Sequence, residues 1–162
     1  MKFSSLVFYQ YQHEIKIIRK DDLAGTLVIK DLAMTIIQSI STRESVQKSM
    51  VVPEIQKEIV VYEYGKSDKK ILLVHGWSGR GTQLVKIADE LLKMGYMTIS
   101  FDAPAHGKSK GNYSIMTEFI ASILELEKQY GSFEYAIGHS LGGMSVLNAI
   151  KQNLNVKKAV TI

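Results

Sequence analysis

Apolar residues along the chain change their spacing near residue 55. Before that point they follow a helical spacing, which begins after Asp31 and ends ahead of Pro53, at Leu32, Ile36, Ile37 and Ile40. We therefore predict an N-terminal helical segment over residues 1–54, with one or two helices. Its mixed acidic and basic residues favour a packed helix over one lying on a membrane surface.

From residue 55 to residue 162, short β-branched runs alternate with amphipathic stretches. This rhythm predicts an α/β fold with a mostly parallel sheet covered by helices. The predicted strands are 59–64, 71–74, 97–101, 135–137 and 159–162. The first two flank the turn-rich residues 65–68 and are expected to form a hairpin or to be neighbours. The run 71–74 is almost wholly apolar, which is typical of a buried central strand.

Three helices are predicted between these strands. The first has Thr82 as a possible N-cap and Gly95 as its stop. The second follows apolar residues from Ile115 to Leu124 and ends at Gly131, and the third runs from about 141 to 153.

Composition narrows the class of protein. The chain has 162 residues, 46% of them hydrophobic and 22% charged, which is typical of one globular domain. Its net charge of +4 is spread along the chain, without the basic blocks of a nucleic-acid-binding surface. The absence of cysteine, of a signal-peptide core and of any apolar run near 20 residues leads us to expect a cytoplasmic protein without a membrane span.

The clearest chemical motif is Gly138-His139-Ser140-Leu141-Gly142, between a predicted strand and a predicted helix. This G-x-S-x-G pattern is a nucleophile elbow, whose sharp turn leaves no room for side chains two positions before and after the serine. Ser140 is the candidate nucleophile. The backbone N–H of Leu141, at the start of the helix, is a candidate donor to the oxyanion that forms when a serine attacks a carbonyl.

A second oxyanion donor is expected from His75-Gly76-Trp77-Ser78-Gly79, which follows the buried strand and precedes a helix. The backbone N–H of Trp77 is the candidate. Its indole is expected only to pack over the site.

These loops resemble the α/β-hydrolase superfamily over roughly residues 55–162. The resemblance lies in His75-Gly76-Trp77, in Asp102-Ala103-Pro104-Ala105-His106-Gly107-Lys108-Ser109 and in Gly138-His139-Ser140-Leu141-Gly142-Gly143. It implies a serine nucleophile, an oxyanion loop and a structural turn beginning at Asp102. Ala105 stands where the common Asp-x-x-Gly-His-Gly-x-Ser pattern has a glycine, which looks like a subfamily variation.

A serine nucleophile needs a histidine base and an acid, which in this fold follow it along the chain. After Ser140 the sequence has no histidine, aspartate or glutamate. We therefore expect an incomplete hydrolase core, inactive as this fragment. Residues 159–162 would be left as a truncated, uncovered sheet edge. Truncation, an interrupted reading frame or a fragment boundary would account for it.

Earlier polar residues are poor substitutes for the missing pair. His139 should point to the opposite face, His75 belongs to the oxyanion loop, and His106 is expected to hydrogen-bond its own turn. The resemblance implies that Asp102 braces that turn. No metal site or cofactor is expected, because the four histidines lack ligand spacing and no acidic pair accompanies them.

Three functions remain to be compared. The leading one is hydrolysis of a small-molecule ester, thioester or amide through Ser140, once the C-terminal half is supplied. The alternative is a non-catalytic α/β-hydrolase-fold binding protein. A nucleotide-binding loop at His106-Gly107-Lys108-Ser109 is rejected, because Asp102 replaces the required glycine and no helix opens at Lys108.

Overall fold

The computed structural model describes residues 7–11, 14–18 and 45–162. Within them lie strands β1 (Val7–Tyr11), β2 (Glu14–Ile18), β3 (Ser45–Val52), β4 (Lys57–Tyr64), β5 (Lys70–Val74), β6 (Met97–Asp102), β7 (Phe133–Gly138) and β8 (Val156–Thr161). The helices there are α1 (Val85–Lys93), α2 (Met116–Tyr130) and α3 (Leu141–Lys151), with short 3-10 helices at Pro53–Ile55 and Gly81–Leu84. Strand and helix alternate from β5 onward, as parallel crossovers require.

The described strands form one mixed sheet in the order β2-β1-β8-β7-β5-β6-β4-β3. Its centre is parallel: β5 pairs with β6 and β7, and β7 pairs with β8. The outer pairs are antiparallel. Because β5, β6 and β7 run in one direction, the loops that follow them meet at one edge of the sheet, where parallel α/β sheets carry their sites.

The core lies on both faces of the central strand. Ile71 and Leu73 of β5 pack with α1 on one face, whereas Leu72 and Val74 pack in the cluster that includes α2 and α3 on the other. All four side chains are buried, and each such side chain stabilises the fold by about 1.5–3 kcal/mol. The prediction of a buried central strand at 71–74 is confirmed.

The N-terminal prediction is wrong for the described residues. Residues 1–54 were expected to be helical, but Val7–Tyr11, Glu14–Ile18 and Ser45–Val52 are strands. β3 pairs with β4 along its length, and β1 and β2 belong to the same sheet, so the sheet does not begin at residue 55 as expected. The predicted helical stripe at residues 32–40 lies outside the described residues.

Two further expectations about the sheet are corrected. β4 and β5 are neither a hairpin nor neighbours, because β6 lies between them. The expected bare edge at β8 is covered, since β1 pairs with it in antiparallel register, with Gln10 opposite Ala159. Local turn residues favour a hairpin, but only long-range pairing decides strand order.

The helix predictions agree with the structure more closely. Gly95, two residues after α1, and Gly131, directly after α2, both have positive φ and mark the ends of these helices. Thr82 is not an N-cap, because it lies inside the 3-10 helix that precedes α1. Over the described ranges, no helix combines the length and apolar character that crossing a membrane requires.

Candidate active site

The nucleophile elbow lies between β7 and α3. Ser140 has φ 52° and ψ −117°, a conformation that residues other than glycine rarely adopt. Two neighbouring strands hold the elbow: the His139 N–H donates to the Val74 carbonyl at 2.9 Å, and the Ser140 N–H donates to the Ile162 carbonyl at 2.7 Å. Because the strained turn follows β7, it lies at the carboxyl edge of the sheet. Ser140 is exposed there.

Glycines around the serine are required by space. A Cβ at Gly142 would overlap the backbone carbonyls of Val74 and His75. A Cβ at Gly138 would lie 2.5 Å from the Gly143 backbone nitrogen. The prediction that side chains cannot fit two positions before and after Ser140 is therefore confirmed.

The loop at residues 75–79, which is the predicted oxyanion loop, contacts the elbow directly. A Cβ at Gly76 would lie only 3.2 Å from the Ser140 Cβ. The Gly76 carbonyl accepts two hydrogen bonds, from His75 Nδ1 at 2.7 Å and from the Gly79 N–H at 3.0 Å. Because a trans peptide is planar, with its C=O and N–H pointing in opposite directions, this double contact also orients the Trp77 N–H.

His75 is a fixed structural group. It is 1% exposed, and its Nε2 accepts the Ala103 N–H at 3.0 Å, so the proton of the neutral ring lies on Nδ1. Burial lowers the pKa of His75 to about 4, against a weaker opposing effect of its bond to Gly76. The imidazole is therefore neutral near pH 7 and links β6 to the oxyanion loop.

The structure brings together the three predicted site residues. Through residues 45–162, no hydrogen bond within the chain uses Ser140 Oγ or the backbone N–H groups of Trp77 and Leu141. Leu141 is the first residue of α3, where N–H groups lack intrahelical acceptors. A hydroxyl and two unpaired donors at one place can bind a carbonyl oxygen as it gains negative charge.

The 102–109 turn, which follows β6, is held by Asp102. This carboxylate is fully buried and accepts the Gly81 N–H at 2.6 Å, the Lys108 N–H at 2.7 Å and the Tyr62 hydroxyl at 2.8 Å. Burial, and then the bond to Asp102, raise the pKa of Tyr62, which stays protonated as a donor. The expectation that Asp102 braces the turn is confirmed. Its Oδ2 accepts the Lys108 N–H, which a phosphate-binding loop would need free.

Two more polar residues complete the 102–109 turn. Ser109 Oγ donates to the Asp102 carbonyl at 2.6 Å and accepts the Val60 N–H at 2.8 Å. His106 Nδ1 lies 2.9 Å from the Pro104 carbonyl, so it carries a proton and donates to it. The expectation that His106 bonds its own turn is confirmed.

Histidines in the described residues do not reach the serine hydroxyl through a hydrogen bond. His139 lies beyond the end of β7, and its Nδ1 would be 2.8 Å from a Cβ at Gly76. Strand alternation therefore does not set its direction, and the expectation that it simply points to the opposite face is wrong: it borders the same glycine as Ser140.

A cleft elsewhere in the molecule does not include the elbow. It measures about 390 Å³ including space open to solvent, and lies between α1 and the face of the sheet that carries Thr98 and Ser100. Its lining contains neither Ser140 nor Trp77. The cleft is therefore separate from the elbow and from residues 75–79.

Sequence reasoning missed two contacts at this edge of the sheet. Tyr62 bonds Asp102 because β4 lies beside β6, a register that local sequence does not contain. The Trp77 indole contacts the His106 ring, with centroids 5.3 Å apart. No group of three or more histidine, cysteine, aspartate or glutamate side chains in the described part of the chain could hold a metal ion.

Known structures share this fold over part of their length. An esterase from Exiguobacterium antarcticum superposes with a TM-score of 0.62 at 23% identity, covering 68% of this chain and 42% of that one. A bromoperoxidase from Bacillus anthracis gives 0.61 at 23% identity, covering 69% and 41%. An epoxide hydrolase from Vigna radiata gives 0.63 at 17% identity, covering 72% and 39%. The chain thus spans about two fifths of the length of these proteins.

Sequence comparison agrees with the fold. No curated protein sequence matches the chain. The model of the alpha/beta hydrolase fold family matches residues 69–162, which include the oxyanion loop, the 102–109 turn and the elbow. Because this match covers more than half of the chain, the protein belongs to the α/β-hydrolase fold family.

Proposed function

We propose that the protein hydrolyses a small carboxylic ester, thioester or amide by acyl transfer through Ser140. The observation that carries this proposal is the exposed Ser140 Oγ beside the unpaired N–H groups of Trp77 and Leu141. The Oγ–C bond forms as the carbonyl π bond opens to an oxyanion. Collapse of this intermediate breaks the bond to the leaving group, which takes the proton that left Ser140. Water then releases the acid and restores the hydroxyl.

The two N–H groups stabilise the charge that develops in the first step. Loss of one oxyanion donor costs roughly 10²–10³-fold in rate in serine hydrolases. The strained elbow holds the Leu141 N–H before substrate binds. The Gly76 carbonyl, which accepts two hydrogen bonds, holds the Trp77 N–H in the same way. Little reorganisation is then needed during the reaction.

The base is the remaining requirement. His75 and His106 in residues 45–162 are bonded to backbone groups, and neither they nor His139 hydrogen-bonds Ser140 Oγ. We therefore propose that the proton acceptor and its orienting acid come from outside residues 45–162 of the whole protein. Removal of that base from the whole protein should slow the reaction roughly 10⁶-fold.

A non-catalytic binding protein is the second candidate. The observation in its favour is that Ser140 Oγ has no base bonded to it within residues 45–162. In that case the elbow is only a packing turn. Its serine would be no more reactive than an ordinary surface serine.

A fluorophosphonate probe separates these two functions, because it phosphonylates activated serines. The protein expressed from the full natural reading frame would be treated with the probe, and the modified residue would be identified by mass spectrometry. We expect one modification, at Ser140, which Ser140→Ala abolishes. The control is Ser49→Ala, at an exposed serine on β3, which should leave labelling unchanged. A folded protein that is not modified at Ser140 would favour the binding protein and overturn the hydrolase.

A further inference from the structure

An aromatic cluster lies directly behind the oxyanion loop. The His106 ring contacts three rings: Trp77 at 5.3 Å, Phe119 at 5.2 Å and His75 at 5.1 Å between centroids. Trp77 and Phe119 both meet it edge-to-face, at interplanar angles of 79° and 82°. Such pairs are attractive beyond the area they bury. His106 therefore joins the 102–109 turn, α2 and the oxyanion loop.

The oxyanion loop has a conformation that needs support. Residues 76–79 form a turn closed by the Gly79 N–H and the Gly76 carbonyl. Ser78 within it has φ 57°, a left-handed value that favours glycine. Strained residues of this kind persist only where the surrounding structure holds them. His75 supports the inner side of the turn through the Gly76 carbonyl.

The outer side of this turn carries Trp77, a residue that is 59% exposed. Within residues 45–162, the ring that contacts its indole is that of His106. His106 is itself well fixed, since it is 8% exposed and its Nδ1 donates to the Pro104 carbonyl at 2.9 Å. A rigid ring therefore lies under the outer side of the loop, opposite the support that His75 gives to the inner side.

We propose that His106 is a positioning residue of the oxyanion hole, acting through the Trp77 indole. It keeps the indole in place, and the indole keeps the turn that directs the Trp77 N–H toward Ser140. His106 itself does not touch the reacting atoms. This inference rests on the proposed acyl transfer at Ser140 and assigns to the 102–109 turn a role beyond bracing the sheet.

Two measurements on the protein expressed from the full natural reading frame test the proposed role of His106. The chain described here has a single tryptophan, so within it the decay of tryptophan fluorescence anisotropy reports the mobility of the Trp77 indole. Any tryptophan elsewhere in the reading frame would first be replaced by phenylalanine. The second measurement is the rate of fluorophosphonate reaction at Ser140 against probe concentration, which separates probe affinity from bond formation.

His106→Ala should increase indole mobility and slow bond formation at saturating probe by about 3–10-fold, the size expected for loss of one aromatic contact. His106→Phe removes the hydrogen bond to Pro104 but keeps a ring under the indole. Because the ring is retained, this variant should keep most of the rate of the unsubstituted protein. Lys108→Ala is the matched control in the same turn, because the exposed Lys108 side chain donates to Gln47 and has no ring contact with Trp77 within residues 45–162. It should change neither measurement.

The outcomes are distinguishable. Unchanged indole mobility in His106→Ala would overturn the contact, and increased mobility with an unchanged rate would overturn its effect on the oxyanion hole. A phenylalanine variant that is folded but as slow as the alanine variant would also contradict support by the ring. If the unsubstituted protein does not react at Ser140, it is the proposed function that fails; the anisotropy still decides whether His106 holds Trp77.

Discussion

The nucleophile elbow and the 102–109 turn both follow strands that end at the same edge of the sheet, and both contain a left-handed residue that is not glycine. Ser140 has φ 52°, and Ala105 has φ 60°. They differ in their polar groups. Asp102, His106 and Ser109 turn their hydrogen-bonding atoms inward to backbone partners, whereas Ser140 Oγ and the Leu141 N–H are left unpaired. Similar strain therefore serves a structural joint in one turn and an available reactive group in the other.

The largest expected effect comes from a substitution that breaks the 102–109 turn. Asp102→Ala leaves the buried donors of Gly81, Lys108 and Tyr62 without an acceptor, which should lower the free energy of unfolding by about 4 kcal/mol. Urea denaturation measures it. The matched control is Asp89→Ala, where Oδ1 accepts the Tyr64 hydroxyl at a part-buried site; we expect a loss of about 1 kcal/mol there. Equal losses would contradict the assigned role of Asp102.

The next effect concerns His75, which joins the 102–109 turn to the loop at residues 75–79. His75 has a pKa of about 4 in the folded protein, against an ordinary value of 6.5 when unfolded. Between these values the unfolded chain binds more protons, so stability falls as pH drops from 6.5 to 4, by up to about 3 kcal/mol. Above pH 6.5 this group contributes no pH dependence.

Unfolding titrations of the unsubstituted protein and of His75→Asn measure that contribution by difference, because the other titrating groups are common to both. The asparagine variant should be less stable at pH 7 but should lose less stability on acidification. Parallel pH profiles would show that His75 is not the neutral, buried link between Ala103 and Gly76.

A smaller effect separates strain from reactivity at the elbow. Ser140→Gly removes the Cβ from a left-handed residue and should raise the free energy of unfolding by about 0.5–1 kcal/mol, net of the extra flexibility of the unfolded chain. Ser140→Ala keeps the Cβ and should be within about 0.5 kcal/mol of the unsubstituted protein. Both variants should lose labelling by fluorophosphonate. A glycine variant less stable than the alanine variant would refute stored strain.

The smallest expected effect tests whether the 102–109 turn has backbone strain similar to that of the elbow. Ala105→Gly should stabilise the fold by about 0.5 kcal/mol, since φ 60° suits glycine. The reverse change, Gly95→Ala, places a Cβ at φ 83° with nothing within 4 Å. Only strain acts there, and a loss of about 1 kcal/mol is expected. Denaturation midpoints would show two shifts of opposite sign if backbone strain is the cause.

The sequence predicted the turns at this edge better than the layout of the sheet. The elbow and the 102–109 turn have local requirements, such as the missing side chain at Gly142, and these are visible as short motifs. β3 was missed because it is an edge strand with mostly exposed side chains, so its sequence lacks a clear alternation. The separation of β4 from β5 and the bond from Tyr62 to Asp102 depend on pairing between distant segments, which no local pattern reports.

The hydrogen bonds on either side of the elbow have a consequence for the order of folding. Ser140 and its neighbour are held by the carbonyls of Val74 in β5 and of Ile162, which directly follows β8, and these two residues are distant along the chain. The strained turn gains these bonds only after β5 and the end of β8 have both docked against β7. Contacts between distant segments form late when their loop entropy must be overcome first. We therefore expect the serine to reach its exposed position in the last stages of folding, so that partly folded chains do not yet display a reactive nucleophile.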